Sequence, residues 1–313
     1  MNQAEMNDEG QLRRQNMALW LRLGLGAVFV IGGWSKLSQL IDADRSAAIV
    51  EQYMGSAGYI NTFFTEYLFS GPLGYVLSPW GFLTALSSFE LLSGLLLLAG
   101  LLVRPLALIY AFLLWSFVFS LPVVTTPGVD PQVTTYTAPA LFVQVRDIAM
   151  SGLMFVLFNL GAGRFSVDNT FKGNQNSDQL SQEMASFDAL ALLSRLSLAV
   201  PLLVGGFFAG MSNIQSFALP GILLIVMGVG VLSGIGLRSL ALAAVLAMLW
   251  YMSTKISLDK SLIGNLNGFK REFALAAGYG LLAWYGGGSR YVWWRPGNNR
   301  FFAKNSVGEL TTS

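Results

Sequence analysis

The 313-residue sequence contains no cysteine and no histidine. Without cysteine there is no disulfide, no thiolate nucleophile and no cysteine-held iron–sulfur cluster. That absence leaves the redox compartment open. Without histidine there is no imidazole ligand for haem, copper or zinc, and no side chain that titrates near neutrality by default. Charge is the third scarcity: 12% of residues are charged, against about 25% in an ordinary soluble protein. The net charge of +2 is too small to argue for nucleic acid. What fills the chain is apolar: 54% hydrophobic residues, with 34 Gly, 22 Phe and 8 Trp, and a mean hydropathy of +0.56. There is too little polar surface to cover a water-soluble globule of this length, so the sequence reads as an all-α integral membrane protein surrounded by lipid. The 11 Met read as packing residues.

Apolar runs of about 20 residues mark spanning helices. Eight are predicted: near 17–37, 79–101, 105–123, 139–160, 190–210, 217–236, 239–252 and 273–285. The first, preceded by Arg13-Arg14, lacks a convincing small-residue cleavage site and reads as a retained anchor. A polar stretch, NTFKGNQNSDQLSQE, reads as a linker within 169–186 and divides a first four-helix unit (1–168) from a second (187–313). With eight spans both termini share one side, and that side receives twelve Lys and Arg against seven on the other. The positive-inside rule then puts both termini in the cytoplasm. The 38–78 segment between the first two spans holds helix-compatible apolar pieces, such as Ile49 to Met54. Helices covering the outer mouth of the bundle are expected there.

The halves share landmarks in one order. ALWLRLGLGAVFVIGG from Ala18 matches ALLSRLSLAVPLLVGG from Ala191, pairing Arg22 with Arg195 and Gly32-Gly33 with Gly205-Gly206. Gly100–Arg104 matches Gly234–Arg238, Arg146-Asp147 matches Arg271-Glu272, and Gly161–Arg164 matches Gly287–Arg290. Four spans per half make this a parallel repeat. The same landmarks resemble the DoxX family of four-helix membrane proteins. They are Arg22-Leu23, Gly32-Gly33-Trp34-Ser35-Lys36-Leu37, Glu90-Leu91-Leu92-Ser93-Gly94-Leu95, the Gly100–Arg104 turn, Arg146-Asp147 and Gly161 to Asp168. The second half is a degenerate copy, with Ala209 where Lys36 stands and Leu224 where Glu90 stands. The long segment after the first helix looks more like the DoxD branch. That resemblance implies the membrane subunit of a thiosulfate:quinone oxidoreductase in a prokaryotic inner membrane, with quinone as electron acceptor and no metal or haem.

Ionisable residues within spans cost roughly 2.5–3.5 kcal/mol each at the bilayer centre, and they usually face a bundle interior. Arg22 and Lys36 lie near one face of the first helix, about 21 Å apart, too far to share one small ligand. Gly26 and Gly33 on that stripe admit a close neighbour. Lys36, Arg146 and Arg271 fall at the outer level, where they read either as an anion pocket beside Trp34 or as local salt bridges. Glu90, the deepest acid, reads either as a proton acceptor or quinol ligand, or as a counter-ion for Arg22 or Arg146 or a protonated group held neutral by burial. Asp147 is a candidate proton donor, and Trp80 a candidate wall of a quinone slot. Tyr136, Trp250, Tyr251 and Trp293-Trp294-Arg295 read as interfacial or core aromatics.

The expected function is oxidation of thiosulfate to tetrathionate at the outer face, with reduction of membrane quinone. Two other readings stay open. One is a non-catalytic scaffold or assembly subunit of a respiratory or sulfur-oxidising complex, acting with a small partner subunit or as a homo-oligomer. The other is an anion transporter, against which stands the lack of a matched pair of broken helices: Pro201 has no counterpart in the first span.

Overall fold

A computed structural model describes residues 3–55, 58–60, 64–120, 140–172, 186–209, 217–288 and 292. Tyr136, Arg290, Trp293-Trp294-Arg295 and linker residues 173–185 lie outside these. Every regular element among the described residues is helical. The long helices are α1 (Gln3–Ile41), α3 (Pro79–Ala99), α4 (Val103–Ser120), α5 (Ala140–Leu160), α7 (Phe187–Phe207), α8 (Gly221–Ser233), α9 (Leu237–Lys255) and α10 (Leu262–Tyr285). Two short helices, α2 (Ser46–Met54) and α6 (Val167–Lys172), complete the set. α6 takes in Asn169 to Lys172, the first residues of the polar stretch.

Among the described residues six helices are long and apolar enough to cross a membrane, two fewer than the sequence led us to expect. The sixth expected span shrinks to the 13 residues of α8, bounded by Pro220 and by Gly234 in the left-handed region. At 1.5 Å per residue it reaches about 20 Å, short of the roughly 30 Å hydrocarbon core. The eighth expected span gains length instead. α10 has 24 residues, but its first half carries Lys270, Arg271 and Glu272, which dilute its apolar character.

The bundle is inverted relative to a soluble protein. Large apolar side chains such as Leu92, Phe112, Ile222, Leu246 and Trp284 are exposed on its flanks, whereas Arg22, Glu90, Arg146, Asp147, Arg195 and Glu272 are buried. In water such flanks would be an aggregation liability; against lipid they are the favoured surface. Helix contact inside the bundle then relies on small residues. A Cβ on Gly33 would sit 2.5 Å from the Leu91 nitrogen, and one on Gly94 would sit 2.8 Å from the Val30 nitrogen. So α1 and α3 pack backbone to backbone. Gly206 does the same for α7 and α8, where its Cβ would meet the Gly221 carbonyl at 2.8 Å. The expected stripe of Gly26 and Gly33 thus admits a helix.

Residues matched between the halves are used alike. The Arg22 guanidinium donates to the Ala162, Arg164 and Phe165 carbonyls at 2.7, 3.4 and 2.9 Å. Arg195 donates to the Val231 and Gly287 carbonyls at 3.1 and 3.4 Å, and to that of Leu232. Each guanidinium serves otherwise orphaned carbonyls at helix ends and in the loops beyond them. Gly100 (φ +75°) and Gly234 (φ +81°) end α3 and α8 in a left-handed turn, and each lies against one of these guanidiniums, where a side chain would clash. The loops after α5 and α10 align one residue earlier than the letters suggested. Left-handed Gly161 and Gly163 correspond in conformation to Gly286 and Gly288.

The segment after α1 forms α2, a π-helical turn at Phe64–Phe69 and a 3-10 turn at Pro72–Tyr75. Ile49 and Tyr53 of α2 bury against Leu40, Ile60 and Leu83 in a hydrophobic cluster separate from the main core. This is the expected cover over one end of the first four-helix unit.

Candidate functional site

Beneath that cover lies a cavity of about 370 Å³. Four-residue steps along α3 bring Phe82, Leu86 and Glu90 to one stripe facing it. Two turns of α1 bring Phe29 and Lys36. Phe117 comes from α4 and Asp147 from α5, while Tyr53, Tyr59 and Phe64 reach in from the covering segment. Lys270 and Arg271 come from α10, in the other half of the chain. The result is an aromatic chamber with a charged wall.

The charges are organised in pairs. Lys36 Nζ lies 2.5 Å from Glu90 Oε2. Arg271 Nε and Nη2 donate to the two carboxylate oxygens of Asp147 at 2.7 and 3.4 Å. Arg146 pairs with Glu272 in the reciprocal position, away from the cavity. The two Arg-acid doublets of α5 and α10 thus grip each other crosswise, cation to acid in both directions. Such pairs offset the desolvation of three buried charges and a partly buried one, and removal of one partner leaves the other uncompensated.

Several expectations change here. Glu90 is a counter-ion, but for Lys36 and not for Arg22 or Arg146. Arg146 does not reach the cavity: it is 4% exposed, donates from Nε to the Phe142 carbonyl at 3.1 Å and holds Glu272. The anion pocket expected from Lys36, Arg146 and Arg271 therefore loses its middle member. Trp34, two residues from Lys36, is turned about 200° around α1 and is 49% exposed on the opposite face. Trp80 sits in the first turn of α3, where its indole N–H donates to the Leu40 carbonyl at 3.1 Å; it ties helix ends together and does not line the cavity. Lys36, Glu90, Asp147 and Arg271 do meet there.

Sequence reasoning missed two charged residues and the aromatic wall. Lys270 lines the cavity and Glu272 neutralises Arg146. Glu272 belongs to the Arg271-Glu272 pair that the repeat had singled out, and Lys270 directly precedes that pair. The sequence pointed to the covering segment but not to Tyr53, Tyr59 or Phe64 within it, because which side chains turn toward the site is set only by tertiary packing.

In each cavity pair the cation is the less buried member: Lys36 is 14% exposed against 5% for Glu90, and Arg271 18% against 1% for Asp147. The ammonium and guanidinium groups thus remain accessible to a ligand, while the acids stay behind them. The volume lies in the range of about 300–1,000 Å³ usual for small-molecule sites. Aromatic walls favour a flat apolar ring, and buried donors favour an oxygen-bearing end.

Comparison with curated proteins and with solved structures gave no match. The model of the DoxX family matches residues 17–121, a stretch that includes α1 from Met17 onward, the covering segment, α3 and α4, and hence most of the cavity wall. Over that stretch, about a third of its length, this multi-pass helical chain is similar to DoxX-family membrane proteins.

Proposed function

We propose that the protein is a quinone-reducing membrane oxidoreductase subunit that takes electrons from thiosulfate at the covered end of the bundle. Two thiosulfate dianions join through a new S–S bond to give tetrathionate and release two electrons. The quinone takes up those electrons with two protons and leaves as quinol. Supporting this is one observation: an aromatic chamber of about 370 Å³ whose charged wall has its cations forward. Buried donors of this kind stabilise developing negative charge on oxygen or sulfur far more than the same groups in water do. Glu90 and Asp147 are the acids at hand to pass protons. The names of the substrates come from the family resemblance. The charge asymmetry of the loops supports a cytoplasmic location for both termini, with the cavity end outward.

The test is thiosulfate-dependent reduction of decylubiquinone by purified protein in lipid nanodiscs. Turnover in the wild type and its loss in a Lys36→Met/Glu90→Gln double variant, which removes a charge pair together, are the expected results. Full turnover in that variant would sink the assignment.

A second reading has its own observation. Three ion pairs, Lys36–Glu90, Arg146–Glu272 and Arg271–Asp147, already lock helices together without any ligand. A scaffold that holds a soluble oxidoreductase at the membrane needs no more than this. Purified protein that is inactive alone but regains quinone reduction with a co-purified redox subunit would favour that reading.

A further inference from the structure

The second half contributes one charge to the cavity that the pairing pattern leaves over. Three cations line it, Lys36, Lys270 and Arg271, against two acids, Glu90 and Asp147. Lys36 and Arg271 are paired with those acids. Among the described residues Lys270 has no carboxylate within ion-pair distance; its ammonium donates to the Asn267 side-chain oxygen at 2.7 Å. Its place is prepared by Gly32 of α1. A Cβ there would lie 2.7 Å from Lys270 Nζ and 3.6 Å from Glu90 Oε2. Gly32 therefore leaves the space into which the ammonium reaches.

Matched positions in the other half lack this arrangement. Val145 stands where Lys270 would, Phe142 where Asn267 would, Ala209 for Lys36 and Leu224 for Glu90. Gly205, the counterpart of Gly32, faces Phe217 and Leu224, at 3.5 Å from a Cβ built there. One site keeps a polar wall built from both halves, while at the matched place Gly205 and Leu224 meet the ring of Phe217, which packs against Phe142 and Tyr251.

We propose that Lys270 is the hydrogen-bond donor that holds the head-group oxygen of a quinone in the cavity, so that the binding site is a composite of the two halves. An ammonium with one neutral partner retains donors for a ligand, and a charge-assisted bond to oxygen in a dry chamber is among the stronger polar contacts available. The assignment rests on the quinone reading given above and deepens it by naming the residue that recognises the ring.

The experiment is equilibrium dialysis of decylubiquinone against purified protein in detergent, alongside thermal unfolding. Lys270→Met is expected to weaken binding about tenfold or more. Its melting temperature should stay near that of the wild type, since no carboxylate loses its partner. Gly32→Ala keeps the charge but displaces the ammonium, and should weaken binding by about threefold to tenfold. Lys260→Met, on an exposed loop, should leave binding unchanged. Wild-type affinity in Lys270→Met overturns the assignment while leaving the quinone reading intact. Absence of measurable binding in the wild type overturns the quinone reading and the assignment together.

Discussion

Two places in this bundle, aligned by the sequence match between its halves, have opposite fates. In the first half, Gly32, Lys36 and Glu90 border an aromatic cavity that Lys270 enters from α10. In the second, Gly205 and Leu224 border Phe217, which is fully buried and packs its ring 4.9 Å from Phe142 and 5.5 Å from Tyr251. The frameworks are held alike: Arg22 and Arg195 serve the carbonyls of neighbouring loops, and glycines bring each pair of leading helices together. A similar scaffold thus carries a chamber at one place and a packed core at the other. Side-chain volume and charge at a few positions decide which.

The ion pairs make the sharpest contrast. Glu272 is buried beside Arg146, away from the cavity. Replacing it in Glu272→Gln strands a guanidinium in the core and should cost about 3–5 kcal/mol in reversible unfolding. Asp147→Asn strands Arg271 as well, but that side chain is 18% exposed and borders the cavity. It should cost distinctly less. Equal losses would mean that the cavity gives Arg271 no relief, and the contrast between the two places would fail.

A smaller effect separates the aromatic residues. Phe217→Ala empties a filled site and should destabilise by about 3 kcal/mol, with decylubiquinone affinity unchanged. Phe82→Ala merely enlarges an existing space and should cost about 1 kcal/mol, while weakening quinone binding severalfold. The reverse pattern, measured by thermal unfolding and dialysis on the two variants, would place the ligand in the wrong half.

The smallest effect tests the likeness beneath the contrast. Gly33→Ala and Gly206→Ala each press a methyl group onto the backbone of the next helix. Each should cost about 1–3 kcal/mol, and by similar amounts. A large difference between them in chemical unfolding would show that the halves are held by different seams.

Much of the fold was legible because a bilayer constrains sequence harshly. Every spanning helix had to be apolar on its lipid face, so length and hydropathy located the long helices, although six and not eight of those among the described residues are long and apolar enough to span. α8 stopped early at Pro220 and Gly234, and α10 began early at Ser261, because local backbone signals outrank average hydropathy. The site was legible in part. Lys36, Glu90, Asp147 and Arg271 were marked by being charged where charge is expensive, and all four line the cavity. Trp34 and Trp80 were chosen for being aromatic and near, which fixes no direction; both turn elsewhere.

Composition and periodicity by themselves determined that this chain is a helical membrane bundle and which charges had to be inside it, because transfer of a residue between water and lipid depends mainly on its own chemistry. Partnership was decided only in three dimensions. That Lys36 meets Glu90, that Arg146 turns away to Glu272, and that Lys270 crosses into the other half's cavity each depend on helix rotation and on space left by a neighbour such as Gly32. Contacts between residues more than 50 positions apart leave no local trace in the order of the letters.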